Sequence, residues 1–575
     1  MVNLTIDGIQ VSVPQGSTIL QAAKEVGINI PTLCYHPDQA VKANCRVCVC
    51  EVEGNNWVLP AACSQPVFDG MAVKTKTPKV IEARKTILEL ILSNHSQDCL
   101  NCIRNQNCEL QELAEEYFIR DNPFELKTKG IAKDFSTPSL VRDPDKCVLC
   151  RRCIDTCSNV QDVKALGVEN RGHESMVVPS MGKDLIDSPC VMCGQCVHAC
   201  PVGAISENEQ IDELLEAIAD PDKVVVTQIA PAVRLAISEE IGMDIGSMSM
   251  EVFASGLKQV GFDYVLHTNF TADLTILEEG NELLARLKEG GALPMFTSCS
   301  PGWINYCETF YPDLLDNLST CKSPQQMFGS LAKTYWAEKM NISPDKIYSV
   351  SIMPCTAKKF EASRPEMQDS GYRDVDVVLT TREVGRLFRM SGIDFEKLQG
   401  TNLDSWMGAY TGAAVIFGAT GGVMEAALRT VYEVVTEEDL PNLNFTMVRG
   451  MEGIKEAEVD LKGTKVKVAV AHGLGNAKKL MDQVKAGNSP YHFIEVMACP
   501  GGCIGGGGQP ITKSNAKRQE RIDAIYVEDE NCAIRKSHEN PEVKTIYDEF
   551  LQEPLGHKSH DLLHTHYHAK NKKFL

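Results

Sequence analysis

The distribution of cysteine constrains this chain more than any other feature. Of its 23 cysteines, 16 fall within the first 200 of 575 residues, in blocks of short, repeated spacing. A disulfide framework belongs to short secreted chains. This chain is long and opens with MVNLTIDGIQVSVPQGSTIL, which has neither a basic n-region nor an apolar h-region. Clustered thiols in a reducing compartment point instead to metal, and a cytoplasmic protein is the expectation. No stretch approaches eighteen uncharged apolar residues, so no membrane span is expected. With Lys+Arg 57 against Asp+Glu 77 the formal charge is −20, which disfavours nucleic acid and anionic membranes as partners.

The strongest motif is Cys147-x2-Cys150-x2-Cys153-x3-Cys157, repeated as Cys190-x2-Cys193-x2-Cys196-x3-Cys200-Pro201. A four-iron cubane needs four thiolates, and in two-cluster ferredoxins the fourth Cys of each run ligates the other cluster. That crossing assigns Cys147, Cys150, Cys153 and Cys200 to one 4Fe–4S cluster, and Cys190, Cys193, Cys196 and Cys157 to the second. Zinc favours paired CxxC knuckles over triple runs. Upstream, Cys34-x10-Cys45-x2-Cys48-x14-Cys63 suits a 2Fe–2S cluster in a β-grasp fold, with Cys50 a spare buried thiol. Between them lies His95-x3-Cys99-x2-Cys102-x5-Cys108. Its spacing alone does not choose between zinc and a 4Fe–4S cluster; its position between iron–sulfur domains favours the cluster.

These blocks divide the chain. Residues 2–7 and 9–13 alternate about Asp7-Gly8 as a hairpin, and Ser17 or Thr18 caps a helix running to about Val26. A 2Fe–2S β-grasp domain is expected over 1–80, a small helical His/Cys3 domain over 81–127, and a bacterial-ferredoxin-like double 4Fe–4S domain over 138–210. From 211 to 575 the pattern becomes α/β, with strand-like runs at 223–229, 347–353, 374–380 and 465–471 and helices such as 424–434 between them. This predicts parallel sheets covered by helices, and a multidomain α+β and α/β protein as a whole. The last forty residues hold six His and read as a polar, partly helical tail with surface imidazoles.

Three segments of this half have a composition that packing does not explain: Thr297–Trp303 (TSCSPGW), Met353–Glu361 (MPCTAKKFE) and Glu495–Pro510 (EVMACPGGCIGGGGQP). Each places Cys after an expected strand, where loops build sites. The glycines let backbone approach a bulky inorganic ligand closely. A phosphate loop would end in Gly-Lys-Ser/Thr, and Gln509-Pro510 stands there instead. Glu279 and Glu282, three apart, share a helix face; a solvated acidic face over 276–287 is the plainer reading.

On these loops and the accessory blocks the whole chain resembles the iron-only (FeFe) hydrogenases in their long form with four accessory clusters. The resemblance implies an H-cluster, a 4Fe–4S unit sharing one thiolate with a two-iron unit that carries CO, cyanide and a bridging dithiolate. Carried over by position, Cys355, Cys499 and Cys503 ligate the cubane, Cys503 as the bridge. Lys358 hydrogen-bonds a cyanide, and Met353 and Met497 pack about the diatomic ligands. Glu279, Glu282, Arg286 and Ser319 link the surface to the Cys299 thiol as a proton route. A small-subunit-like tail begins at about 512. The first loop departs from the family, which has two consecutive Cys where this chain has Cys299-Ser300. Either Ser300 ligates through oxygen, or Cys299 shifts onto iron, or the cubane has an altered corner.

The implied reaction is 2 H+ + 2 e− = H2, run in either direction. At 59 mV per decade the proton couple at pH 7 lies about 0.41 V below standard, close to the value of about −0.4 V for plant-type 2Fe–2S centres. The main expectation is that electrons pass to ferredoxin. The alternative is the catalytic subunit of an NAD(P)-linked or bifurcating complex, with NAD and flavin on partner subunits. Another class is a hydrogen-sensing or non-catalytic iron–sulfur protein. The segment His472-Gly-Leu-Gly475 begins like a dinucleotide fingerprint, but Lys478 occupies its third glycine position. Maturation proteins must supply the two-iron unit.

Overall fold

The computed structural model describes residues 1–54, 58–512 and 514–570; the last five residues of the expected tail lie outside the described residues. The N-terminal hairpin forms as the alternation requires, with β1 (Val2–Ile6) antiparallel to β2 (Ile9–Val13). Asp7 and Gly8 both take positive φ at the turn. The Thr18 hydroxyl and the Gln21 side chain cap the helix Ile19–Glu25 reciprocally. Strands β3 (Glu51–Val52) and β4 (Ala72–Lys74) complete a mixed sheet of order β2-β1-β4-β3. Helices Pro78–Leu92 and Glu109–Glu116 flank the His95/Cys segment. The next unit carries two small antiparallel pairs: β5 (Leu140–Arg142) joins β8 (Ile205–Glu207), and β6 (Leu166–Glu169) joins β7 (Met176–Pro179).

Two four-stranded sheets organise the remainder. In the first, β9 (Val224–Ile229), β10 (Tyr264–His267), β12 (Ile347–Met353) and β13 (Val377–Thr380) lie parallel in the order β10-β9-β12-β13. The expected strand at 374–380 starts late because Asp374 and Asp376 spend their carboxylates as anchors. Asp376 takes the Ser349 amide at 2.8 Å and Asp374 pairs with buried Lys322 at 3.1 Å. The second sheet has β11 (Met295–Phe296), β14 (Ile454–Leu461), β15 (Thr464–His472) and β16 (Phe493–Met497) in the order β11-β16-β15-β14. It is mixed, which corrects the all-parallel expectation. The two-residue turn Lys462-Gly463, both with positive φ, folds β14 back antiparallel on β15.

The tail is built into the protein. The buried Asp529 carboxylate, from helix Asn515–Asn531, accepts both ends of the fully buried Arg429 guanidinium at 2.8 Å, and Arg429 also pairs with Glu425 at 2.7 Å. Arg535 and Arg449 close the cluster on Asp529 and Glu425. Removing one partner of a buried pair strands the others' charge and costs about 3–5 kcal/mol. R429M is therefore expected to lose stability of about 3 kcal/mol in denaturant titration, whereas an exposed-pair variant such as K397M, at the solvent-facing Lys397–Asp394 contact, is expected to lose almost none.

Candidate active site

The expected accessory ligands come together in sets. In the N-terminal domain Cys34 interacts with Cys45, and Cys48 with Cys63, across one buried locus. The hydrogen bond between the paired sulfurs draws Cys34 down to about 5 and Cys48 to about 7. Cys50 stands apart, donating to the Pro60 carbonyl, and burial pushes its thiol up to about 12. His95 engages the Lys146 carbonyl through Nδ1 at 3.0 Å, which leaves Nε2 free to face a metal, and charge interactions couple Cys99, Cys102 and Cys108. Cys147, Cys150, Cys153 and Cys200 line one cavity, and Cys157, Cys190, Cys193 and Cys196 line another. The grouping across the repeat is the crossed one expected from the spacing.

The sets are physically continuous. One apolar cluster contains Leu33, Val47, Cys108 and Cys200, with Cys45 and Cys147 against it, so three units share a core. Arg152, fully buried, grips Glu109 with two bonds of 2.8 and 3.0 Å, and its carbonyl receives Gln39 Nε2 at 3.0 Å. At the far end Gln195 and His198 bond the Gly505 and Gly506 carbonyls at 2.9 and 2.7 Å, and Thr356 bonds the Met192 carbonyl at 2.8 Å.

Those last contacts fasten the ferredoxin-like unit to an apolar cavity of about 80 Å³ between the two large sheets. Its walls are the loops after β9, β11, β12 and β16, including Cys299, Ser300, Met353, Cys355, Lys358, Met497, Cys499 and Cys503, together with Cys193 of the neighbouring set. The three signature segments thus converge. The glycine run works mainly by protein packing. A Cβ on Gly506 would sit 2.2 Å from the Pro354 carbonyl oxygen, and one on Gly507 2.4 Å from that of Cys193. Ordinary side chains there would push the Cys355 loop and the ferredoxin-like unit away.

The donor chemistry fits an iron–sulfur group. Burial raises Cys355, Cys499 and Cys503, the last to about 12; neighbouring thiolates add to it at Cys499 and Cys503, while the Lys358 charge opposes it at Cys355 and Cys503, so these thiols ionise only beside a strong positive charge. No cysteine is disulfide-bonded among the described residues. Lys358 is the cation aimed at this space: Nζ bonds the Cys299 carbonyl at 3.1 Å and Glu361 at 2.8 Å. Ser323 and Gln325 brace the same Glu361 carboxylate at 2.8 and 3.0 Å. This bracing comes from an element distant in sequence, which is why residue spacing did not reveal it.

The acidic helix is not solvated. Helix Thr268–Glu289 runs through the core, with Glu279 2% and Glu282 8% exposed. Burial, then the Glu282 charge, lifts Glu279 to about 8, and burial, then the Glu279 charge, raises the thiol of half-buried Cys299. Ser319 Oγ donates to Glu282 at 2.7 Å, and Arg286 donates to the other Glu282 oxygen at 2.6 Å while reaching the Asp316 carbonyl toward solvent. One Glu279 oxygen has no partner among the described residues. In the tail His560, His566 and His568 are surface imidazoles as expected, whereas His564 turns inward. His564 is 6% exposed and bridges Thr320 Oγ1 at 2.8 Å and Glu278 at 3.2 Å, while Tyr547 donates to Glu278 at 2.6 Å. His538 likewise contacts Glu433 and Thr430 at 3.1 and 3.2 Å, and His557 is exposed.

Thiol-lined cavities leading to a thiol pocket, with a buried carboxyl–hydroxyl series on its other side, define an iron–sulfur oxidoreductase. Family models match most of the length: "Iron only hydrogenase large subunit, C-terminal domain" over 223–507, "Iron hydrogenase small subunit" over 515–570 and "2Fe-2S iron-sulfur cluster binding domain" over 1–78. The "NADH-ubiquinone oxidoreductase-G iron-sulfur binding region" matches 84–123, and the "NADH-quinone oxidoreductase subunit 3, ferredoxin-like domain" matches 137–206. NADP-reducing hydrogenase subunit HndD of Solidesulfovibrio fructosivorans is 49% identical over 585 residues, covering 100% of both chains. Iron hydrogenase 1 of Clostridium pasteurianum is 40% identical over 99% of this chain and 100% of its own. A structure of FeFe-hydrogenase HydA1 from Chlamydomonas reinhardtii superposes with a TM-score of 0.57 at 46% identity, covering 62% of this chain and 98% of that one. The chain belongs to the iron-only hydrogenase family, in the long form with accessory iron–sulfur domains, and is a hydrogenase with 2Fe–2S, 4Fe–4S and H-cluster domains.

Glu279 yields a two-part prediction. A carboxyl raised to about 8 binds its proton in the folded state where the unfolded chain has released it. Its contribution to stability is complete below the ordinary carboxyl value of 4.5 and is lost as pH rises from there to about 8. E279Q is expected to flatten this part of the stability–pH profile, measured by denaturant melts, and to slow turnover by about 100-fold with iron content unchanged. Full turnover in the variant would remove Glu279 from the route.

Proposed function

We propose that this chain is the hydrogen-activating and electron-relaying subunit of an NAD(P)-linked hydrogenase complex. Among the partners the sequence allows, this replaces ferredoxin as the first choice. The observation that carries it is the likeness over the full length of both chains to a protein named as a subunit of an NADP-reducing hydrogenase. The nucleotide would be held by a partner subunit. Here the Gly473–Gly475 turn is packed against protein, since a Cβ on Gly475 would lie 2.7 Å from the Val160 carbonyl oxygen, and Lys478 there pairs with Asp162.

In this reading Cys355, Cys499 and Cys503 hold the H-cluster, which supplies the redox chemistry joining two protons and two electrons to dihydrogen. Lys358, fixed by Glu361, presents its N–H groups to the pocket. Met353 and Met497 exclude water with apolar, adaptable side chains. The Cys299 thiol holds a proton at Sγ; Glu279, Ser319 and Glu282 carry it outward, and Arg286 holds the outermost carboxylate in place. Cys34, Cys45, Cys48 and Cys63 would hold one 2Fe–2S cluster, and the remaining sets would hold one-electron carriers of a second kind, three 4Fe–4S clusters. The first of these uses His95, Cys99, Cys102 and Cys108, the second Cys147, Cys150, Cys153 and Cys200, and the third Cys157, Cys190, Cys193 and Cys196. Cys193 lines both the last accessory cavity and the active pocket, which supports direct transfer between them. Maturation proteins supply the two-iron unit. No helix among the described residues is long and apolar enough to cross a membrane, and a cytoplasmic site of action suits the thiol chemistry.

The test is to purify the matured chain alone and with its co-expressed neighbours. The isolated chain is expected to evolve hydrogen from a reduced viologen dye without reducing NAD(P)+. Hydrogen-dependent NAD(P)+ reduction is expected only in the assembled complex. If the isolated chain exchanges electrons efficiently with ferredoxin and forms no complex, the ferredoxin reading stands in its place.

A further inference from the structure

The first signature loop carries one thiol where the pocket's chemistry asks for two, and the structure shows how the loop is held. Ser300 is extended, with φ −101° and ψ 101°, so its side chain and that of Cys299 point to opposite sides of the strand-like backbone. The charges that act most on the Cys299 thiol are those of Glu279, then Cys503 and Lys358. Ser300 Oγ faces the other way, accepting the Ala498 amide at 3.3 Å, one residue before Cys499. Cys355, Cys499 and Cys503 interact with one another, and Ser300 lines the same cavity.

The loop has no slack that would let Cys299 exchange places. The Ser300 carbonyl receives the amides of Trp303 and Ile304 at 3.0 and 3.1 Å. The Trp303 indole N–H bonds back to the Thr297 carbonyl at 3.0 Å, with the ring fully buried. Beyond it, a Cβ on Gly302 would already lie 3.2 Å from Ala498 Cβ and 3.6 Å from Cys193 Cβ. Sliding the backbone by one residue to bring Cys299 inward would break this clamp and turn its thiol away from Glu279.

We propose that Ser300 Oγ is the fourth protein donor of the H-cluster's four-iron unit, held otherwise by Cys355, Cys499 and Cys503, while Cys299 stays off the iron. This rests on reading the pocket as the H-cluster site. On ligation the Oγ–H bond is replaced by an Oγ–iron bond, the proton leaves to solvent, and iron keeps its oxidation state. The Ser300 oxygen is a harder and more basic donor than thiolate, so it favours the oxidised cluster and lowers its potential relative to an all-thiolate site.

The test uses the full-length matured protein and reads the infrared bands of metal-bound CO and cyanide, which report on this site and not on the accessory clusters. Their midpoint is followed in a redox titration, alongside electron paramagnetic resonance. S300C is expected to shift the bands and raise the midpoint; S300T keeps the oxygen and is expected to stay close to the parent. S300A is expected to lose the corner and show a three-iron signal on oxidation, and C299A to leave the cluster signals in place. Unchanged bands and midpoint in both S300C and S300A overturn the assignment, and so does loss of the four-iron unit in C299A. Absence of CO and cyanide bands from the parent protein overturns the underlying reading of the pocket and this assignment with it; bands that ignore Ser300 overturn this assignment alone.

Discussion

Everything in this protein depends on a set of buried thiols that protein groups alone do not satisfy. Burial raises Cys355, Cys499 and Cys503, and would-be thiolates nearby raise Cys499 and Cys503 further. A cavity lined in this way is costly in an ordinary core, because it gives up packing contacts without gaining strong hydrogen bonds. The fold nevertheless maintains it. Four loops at strand ends meet there, the glycine run allows backbone to press on backbone, and the ferredoxin-like unit is bolted to the same loop through Gln195 and His198. Iron supplies the positive charge that makes such a site favourable, and its ligation is coupled to loss of the thiol protons.

From that site the proposed paths for electrons and protons diverge. On one side, shared apolar cores and buried ion pairs such as Arg152–Glu109 keep successive thiol sets at fixed separation. On the other, the helix Thr268–Glu289 carries carboxyls through the interior instead of along its surface. The separation has a physical purpose. Thiol sets in low dielectric suit electrons, whereas a carboxyl held near neutrality by burial suits protons, because its acid and base forms are close in free energy. The tail reinforces the proton side. His564, Tyr547 and Thr320 surround Glu278 and Glu282, so the segment matched by the small-subunit model forms part of the wall around these carboxyls.

Much of this was legible in the residues. The cysteine spacing foretold both crossed sets, and hairpin alternation with the Thr18 cap foretold the first domain, because ligand spacing and local capping are short-range properties. What stayed hidden was long-range. The antiparallel return of β14 depends on a turn at Lys462-Gly463 that sits inside an α/β pattern. The acidic helix reads the same whether it is solvated or buried, and only its packing partners decide. Among the tail's imidazoles His564 alone proved buried, and it looked like a surface group because Glu278 and Thr320 lie more than two hundred residues away from it. The glycine run was expected to make room for an inorganic ligand; its closest approaches are to other parts of the chain.

Isotope exchange on the matured, isolated chain tests the central claim most directly, since it needs neither an external electron carrier nor a partner subunit. Under deuterium gas in ordinary water, the account predicts steady formation of HD and H2, as one atom at a time is traded with solvent through the buried relay. A preparation with its full complement of iron that leaves the deuterium unexchanged would contradict it.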